Sequence, residues 1–156
     1  DHRVDPVRNA VVEIWQVDNE GNYIHSRNAD RPSRDKNFQG FGRFITGRTG
    51  GYYFRTIKPP AYGGRARHIH FAIIRGNDRV LTTQLYVKGD PKIKKDRPIR
   101  RIKDPKLKHL LIKEFKPLKG SKTGELTVDF DLIVGLTPED PKDDPPRFRN
   151  PKYKKN

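Results

Sequence analysis

Apolar and polar positions alternate along this chain in short runs, spaced as strands are. Ala10-Val-Val-Glu-Ile-Trp-Gln-Val17 interleaves β-branched and aromatic residues with polar ones, which predicts a half-buried strand, and Asn19-Glu-Gly-Asn22 predicts the turn after it. Residues 26–37 are polar and aperiodic, the pattern of an irregular surface loop. Phe41, Phe44 and Ile45 precede Thr49-Gly-Gly51, and Tyr52-Tyr-Phe-Arg-Thr-Ile57 follows, so two strands joined through a glycine turn are expected.

Lys58-Pro-Pro-Ala-Tyr-Gly-Gly64 cannot continue a central strand, because its prolines lack N–H donors and its glycines loosen the backbone; it reads as a loop carrying Tyr62. His68-Ile-His-Phe-Ala-Ile-Ile74 and Val80-Leu-Thr-Thr-Gln-Leu-Tyr-Val87 form the next predicted hairpin, turning at Gly76-Asn-Asp78. Residues 104–115 hold one short helix, with Asp104 as N-cap, Pro105 in the first turn and Leu107, Leu110 and Leu111 on one face. Leu126-Thr-Val-Asp-Phe-Asp-Leu-Ile-Val134 then alternates as a strand.

About six short strands with at most one short helix and long loops predict an all-β fold, a sandwich or barrel. At 156 residues the chain fits one domain, assigned to 1–135, followed by a charged, proline-rich C-terminal tail over 136–156.

Composition changes the picture in three ways. Lys and Arg number 34 against 19 Asp and Glu, a formal +15 that attracts anions of any kind. The excess concentrates in residues 92–122 and 147–155, where the plainest reading is solvated loop charge, and no aromatic-basic motif supports nucleic-acid binding. Without cysteine, any metal must be held by nitrogen and oxygen. No apolar run approaches the ~20 residues that span a bilayer, and nothing at the start resembles a signal peptide, so a soluble chain without membrane contact is expected, with an exported origin left open.

The chemistry gathers around one strand. In His68-Ile-His70 the two imidazoles share a face, because alternate strand residues point the same way. Imidazole suits zinc, copper, iron and nickel alike, so the pair by itself selects no metal. Tyr62 lies just upstream on a glycine-containing loop. A phenol of pKa ~10 becomes a ligand at neutral pH only if something deprotonates it, and phenolate is a hard, strongly donating anion suited to iron(III).

Five blocks then occur in order: Val12-Glu-Ile-Trp-Gln-Val-Asp-Asn-Glu-Gly-Asn-Tyr23, Asn37-Phe-Gln-Gly-Phe-Gly-Arg43, Tyr53-Phe-Arg-Thr-Ile-Lys-Pro59, Arg65-Ala-Arg-His-Ile-His-Phe71, and Thr83-Gln-Leu-Tyr86 with Gly89-Asp-Pro91. Together, over roughly residues 7–134, they resemble the intradiol ring-cleavage dioxygenases, and most closely the protocatechuate 3,4-dioxygenase branch. The resemblance implies a β-sandwich holding one non-haem Fe(III) per chain through Tyr23, Tyr62, His68 and His70. It implies that a catechol-type diol is cleaved by O2 between its hydroxyls to a cis,cis-muconate-type diacid. Tyr62 matches the axial tyrosinate that substrate displaces and that takes up a proton. Arg65 matches an arginine that stabilises negative charge on the ring, Gln84 an amide close to the iron, and Trp15 an aromatic of the pocket wall.

The sequence departs from the family at Gly63-Gly64, where the branch often carries proline and a bulky aromatic, which predicts a wider pocket or a looser loop. The blocks argue for the smaller branch without a large N-terminal helical domain, and homo-oligomerisation is left open. The competing reading is a catalytically idle, transthyretin-like β-sandwich that binds aromatic polymers or polyanions through its basic surface.

Overall fold

A computed structural model describes residues 4–25 and 28–140. Its centre is a five-stranded sheet in the order β2-β1-β3-β4-β5. Strand β1 (Val11–Trp15) lies antiparallel between β2 (Phe41–Ile45) and β3 (His68–Arg75), β3 forms a hairpin with β4 (Asp78–Val87), and β5 (Ile112–Lys113) adds in parallel to β4. The hairpin turns at Gly76, whose φ of +64° an L side chain rarely adopts. A separate ribbon pairs β6 (Lys116–Pro117) with β7 (Leu126–Thr127).

Strand pleating divides this sheet into two surfaces with different work. Val12 and Ile14 of β1, Ile69 and Phe71 of β3 and Leu85 of β4 face one way into the main core, each no more than 6% exposed. The rings of Tyr52, Phe54 and Phe130 meet Phe71 edge-on at centroid distances of 6.1, 5.9 and 4.9 Å. The other surface carries a different row: Trp15 pairs with His70, His70 with Gln84, and His68 with Tyr86. Register therefore places the polar and aromatic candidates side by side and opposite the core.

Three expectations change. The segment after the glycine turn does not pair with β2 as a strand. It crosses the core face instead, where Tyr52 donates its hydroxyl to the Phe130 carbonyl at 2.6 Å, Thr56 donates to Gln16 Oε1 and the Gln16 amide donates to the Ile57 carbonyl. The long strand expected from 126 to 134 shortens to Leu126–Thr127. Its alternation survives, with Val128, Phe130 and Leu132 turned to the core and Asp129 and Asp131 exposed, so burial rather than a hydrogen-bond ladder holds it.

The helical content is also larger than the one short helix expected. α1 (Arg97–Arg101) and α2 (Pro105–Leu111) follow a 3-10 turn at Pro91–Lys95. α2 begins as expected at Asp104, whose carboxylate accepts the Lys106 N–H at 2.8 Å. The additional turns start at Asp90-Pro91 and Asp96-Arg-Pro98, and each buries so little apolar surface that no helical period shows.

At the C-terminal end, Thr83 donates to the Pro138 carbonyl and the Asp140 N–H to the Thr82 carbonyl, which ties residues 138–140 to β4. The rest of the expected tail, 141–156, lies outside the described residues. No described helix is long and apolar enough to cross a membrane.

Candidate metal centre

Four side chains from three places in the chain converge at the His68–His70 end of β3. The Tyr23 hydroxyl touches the Tyr62 hydroxyl and lies 2.5 Å from His70 Nε2 and 3.5 Å from His68 Nε2. The Tyr62 hydroxyl is 3.3 Å from His68 Nε2, and the two imidazole Nε2 atoms are 3.1 Å apart. Both histidines are buried, and the tyrosines are half-buried.

Each donor is aimed by its surroundings. His68 Nδ1 sits 2.6 Å from the Ala66 carbonyl oxygen, so Nδ1 carries the proton and Nε2 presents its lone pair to the cluster. Burial, reinforced by His70 and Arg65, holds the His68 pKa well below the usual imidazole range and keeps the ring neutral. Trp15, 1% exposed, lies flat against His70 with centroids 5.0 Å apart and planes 7° from parallel.

Tyr23 follows a turn organised by the buried Asp18 carboxylate. That group accepts the N–H of Glu20, Asn22 and Asp35 at 2.9, 2.9 and 2.7 Å, and the Asn22 amide donates to Ser33. Tyr62 is set by a different device. The Arg65 N–H donates to the Tyr62 carbonyl at 2.7 Å across Gly63 and Gly64, whose φ values of +51° and +78° are those of a two-residue turn with both central residues left-handed. At the Gly63-Gly64 departure the chain closes a tight turn, which places Arg65 directly across from Tyr62.

The arrangement fits a metal ion on the chemistry of its donors. Only the two phenolic protons and at most one imidazole proton are available to share among four crowded lone-pair atoms, whereas one cation accepts all four at once. Among the described residues no group of three or more His, Cys, Asp or Glu could hold a metal; a set drawn from these four side chains would take half its donors from phenols. Two phenolates and two imidazoles suit a hard trivalent ion.

Beside the four donors lies a polar network. Arg65 Nε donates to Asp96 at 2.8 Å, and one Arg65 amino group donates to Gln84 Oε1 at 2.6 Å. Tyr86 donates to Gln84 Oε1 at 2.8 Å and lies 3.2 Å from the other Asp96 oxygen, while the Gln84 amide donates to Asp140 at 3.1 Å. Burial is the largest influence and works against the Arg65 charge, but the hydrogen bond to Asp96 and the electrostatic pull of Tyr86, Asp96 and Tyr62 together outweigh it and raise the guanidinium pKa. Burial and the Asp96 charge push the Tyr86 phenol up, so it remains a neutral donor. Behind Gln84 and Tyr86 is a cavity of about 400 Å³ that Arg101, Leu111 and Asp140 also line.

The structure thus brings together Tyr23, Tyr62, His68, His70 and Trp15, and places Arg65 and Gln84 in one network beside them. Tyr86 packs against the core cluster and also joins that network through its hydroxyl; Asp18, Asp96 and Asp140 carried no sequence signal. Asp96 looks in sequence like an ordinary helix start, and Asp140 like one charge among many.

A family model described as Dioxygenase matches residues 1–134. The chain is 35% identical over 137 residues to the protocatechuate 3,4-dioxygenase beta chain of Burkholderia cepacia, an alignment covering 83% of this chain and 58% of that protein. Among solved structures it resembles catechol 1,2-dioxygenase from Acinetobacter sp. ADP1 (TM-score 0.62, 26% identity, 82% of this chain and 47% of that one). It also resembles the dioxygenase domain of a dioxygenase carbohydrate-binding protein fusion from Streptomyces sp. SirexAA-E (TM-score 0.55, 28% identity, 82% and 70%).

Proposed function

Because the chain belongs to the intradiol ring-cleavage dioxygenase family, we propose that it cleaves a catechol-type diol between the two hydroxyls with O2, using one ferric ion held by Tyr23, Tyr62, His68 and His70. The observation that carries this reading is the meeting of two phenol oxygens and two imidazole nitrogens at one point on the sheet. The five-stranded sheet and the segments 52–57 and 128–132 laid over its core face are read as the two layers of a sandwich.

Bound there, a ferric ion would supply a Lewis-acidic centre that binds both diol oxygens and makes the ring open to attack by O2. The remaining roles fall to side chains. Tyr62, which matches the tyrosinate that substrate displaces in the family, would take up the proton of a substrate hydroxyl on its phenolate oxygen. His68 and His70 would stay as ligands, the first oriented by the Ala66 carbonyl and the second backed by Trp15. Arg65, paired with Asp96, would stabilise negative charge that develops on the ring, and Gln84 fixes the Arg65 amino group in place.

The test is to load the protein with ferric ion, add catechol under air, and record the muconate product alongside the visible spectrum. A coloured protein with turnover is expected, with the colour shifted in Tyr62→Phe and the metal lost in His68→Ala. Unchanged colour and activity in both variants would refute the ligand assignment. A colourless protein that binds no iron yet retains anionic aromatic polymers would favour the idle binding module.

A further inference from the structure

Asp96 occupies the position before α1 where an aspartate ordinarily caps the first turn, yet its side chain makes no capping bond. The carboxylate turns inward and is 0% exposed. One oxygen accepts both the Arg65 Nε–H at 2.8 Å and the Ala66 N–H at 2.9 Å, and the other lies 3.2 Å from the Tyr86 hydroxyl. Ala66 is itself 0% exposed, and its carbonyl is the group that accepts the His68 Nδ1 proton. Ala66 is therefore held by Asp96 at the N–H of the peptide before its Cα and holds His68 at the carbonyl of the peptide after it.

We propose that Asp96 is a positioning residue for two members of the site at once: it fixes the Arg65 guanidinium directly, and it fixes the His68 tautomer by anchoring the Ala66 backbone, whose carbonyl His68 faces. A carboxylate can do both because one oxygen has room for two donors, and the partners are consecutive residues on the approach to β3. The cap forgone at α1 is the local cost of this arrangement. Fixing the Ala66 N–H fixes the backbone that sets where the next carbonyl points, the one to which His68 donates. The arginine half of this inference rests on the ring-cleavage reading; the histidine half does not.

The full chain is tested with Asp96→Asn, Asp96→Ala and Arg65→Ala. The His68 tautomer is read in the metal-free protein by NMR of labelled histidine, and iron affinity by titration with ferric ion delivered from nitrilotriacetate. In Asp96→Ala the Ala66 peptide loses its anchor, so His68 is expected to change from a single Nδ1–H form to a mixture, with iron affinity falling roughly 10- to 100-fold, the usual effect of removing a group that orients a ligand. Asp96→Asn keeps one oxygen for Ala66, so tautomer and affinity hold within about threefold while kcat drops about tenfold with little change in KM, because the charge facing Arg65 is gone.

Adding Asp96→Asn to Arg65→Ala should lower kcat no further, since both changes act through the same guanidinium. A native tautomer and native iron affinity in Asp96→Ala would overturn the histidine half, and multiplying effects of Asp96→Asn and Arg65→Ala would overturn the arginine half. If Asp96→Ala does not fold, the tautomer in Asp96→Asn decides: a mixture there overturns the claim that one oxygen suffices. Should the parent bind iron but cleave no diol, the tautomer and affinity measurements still read out, so failure of the reaction is separable from failure of this role.

Discussion

Replacing Asp18 by alanine probes how the Tyr23 ligand is held. The carboxylate is 1% exposed and accepts three backbone N–H groups, of Glu20 and Asn22 through one oxygen and of Asp35 through the other. The Asn22 N–H is buried and has no route to water once its acceptor is gone, a loss of ~1–3 kcal/mol; the Glu20 and Asp35 groups are part-buried and partly rescued by solvent, at ~0.5–1 kcal/mol each. The sum is about 3 kcal/mol, which for a domain of this size lowers Tm by roughly 10 °C.

Asp18→Asn keeps one acceptor oxygen and presents an NH2 group to the Asp35 N–H, so it should lose less than half as much. Thermal melts of the metal-free proteins measure both. Because Asn22 immediately precedes Tyr23, the alanine variant should also bind ferric ion more weakly and show an altered tyrosinate absorption. An Asp18→Ala protein that melts within about 2 °C of the parent and binds iron equally well would refute this account of the loop.

Three further outcomes follow from the geometry. Phe71→Ala removes the ring against which Tyr52, Phe54 and Phe130 pack and should cost ~3–5 kcal/mol in chemical denaturation, with the ligand cluster on the opposite surface disturbed only through stability. Gly64→Ala meets no atom within 4 Å, so its effect is that of a left-handed φ alone, ~1–2 kcal/mol in melting, accompanied by a shift in the iron absorption as the Tyr62–Arg65 turn opens. Burial, reinforced by Asp131, raises the Tyr52 phenol above its ordinary range, so the folded state holds that proton more tightly than the unfolded chain. The resulting stability is complete below pH ~10 and is lost as pH rises further, by about 1.4 kcal/mol per unit; alkaline melts of Tyr52→Phe should show a shallower decline than the parent.

What the sequence determined by itself is what depends on local pattern. Period-two alternation and turn residues placed β1, β2, β3 and β4, the Asp104-Pro105 pair placed the start of α2, and the spacing of His68 and His70 put both rings on one face. The resemblance across five blocks added Tyr23, Tyr62, Arg65 and Gln84 as candidates, and the structure brings these into one site. Alternation predicted the buried side chains of 128–132 correctly while mistaking the segment for a paired strand, because alternation reports which side is buried and carries no information about hydrogen-bond partners.

Tertiary structure alone decided the rest. Asp96 and an ordinary helix cap are identical in sequence; only the approach of Arg65 and Ala66 across thirty residues of chain turns the carboxylate inward. Register sets Tyr86 opposite His68, and Gly63-Gly64 closes the turn between Tyr62 and Arg65 only because both residues take positive φ. In each case the deciding contact joins residues distant in sequence, or depends on a backbone angle that composition permits without requiring, so no local pattern could contain it.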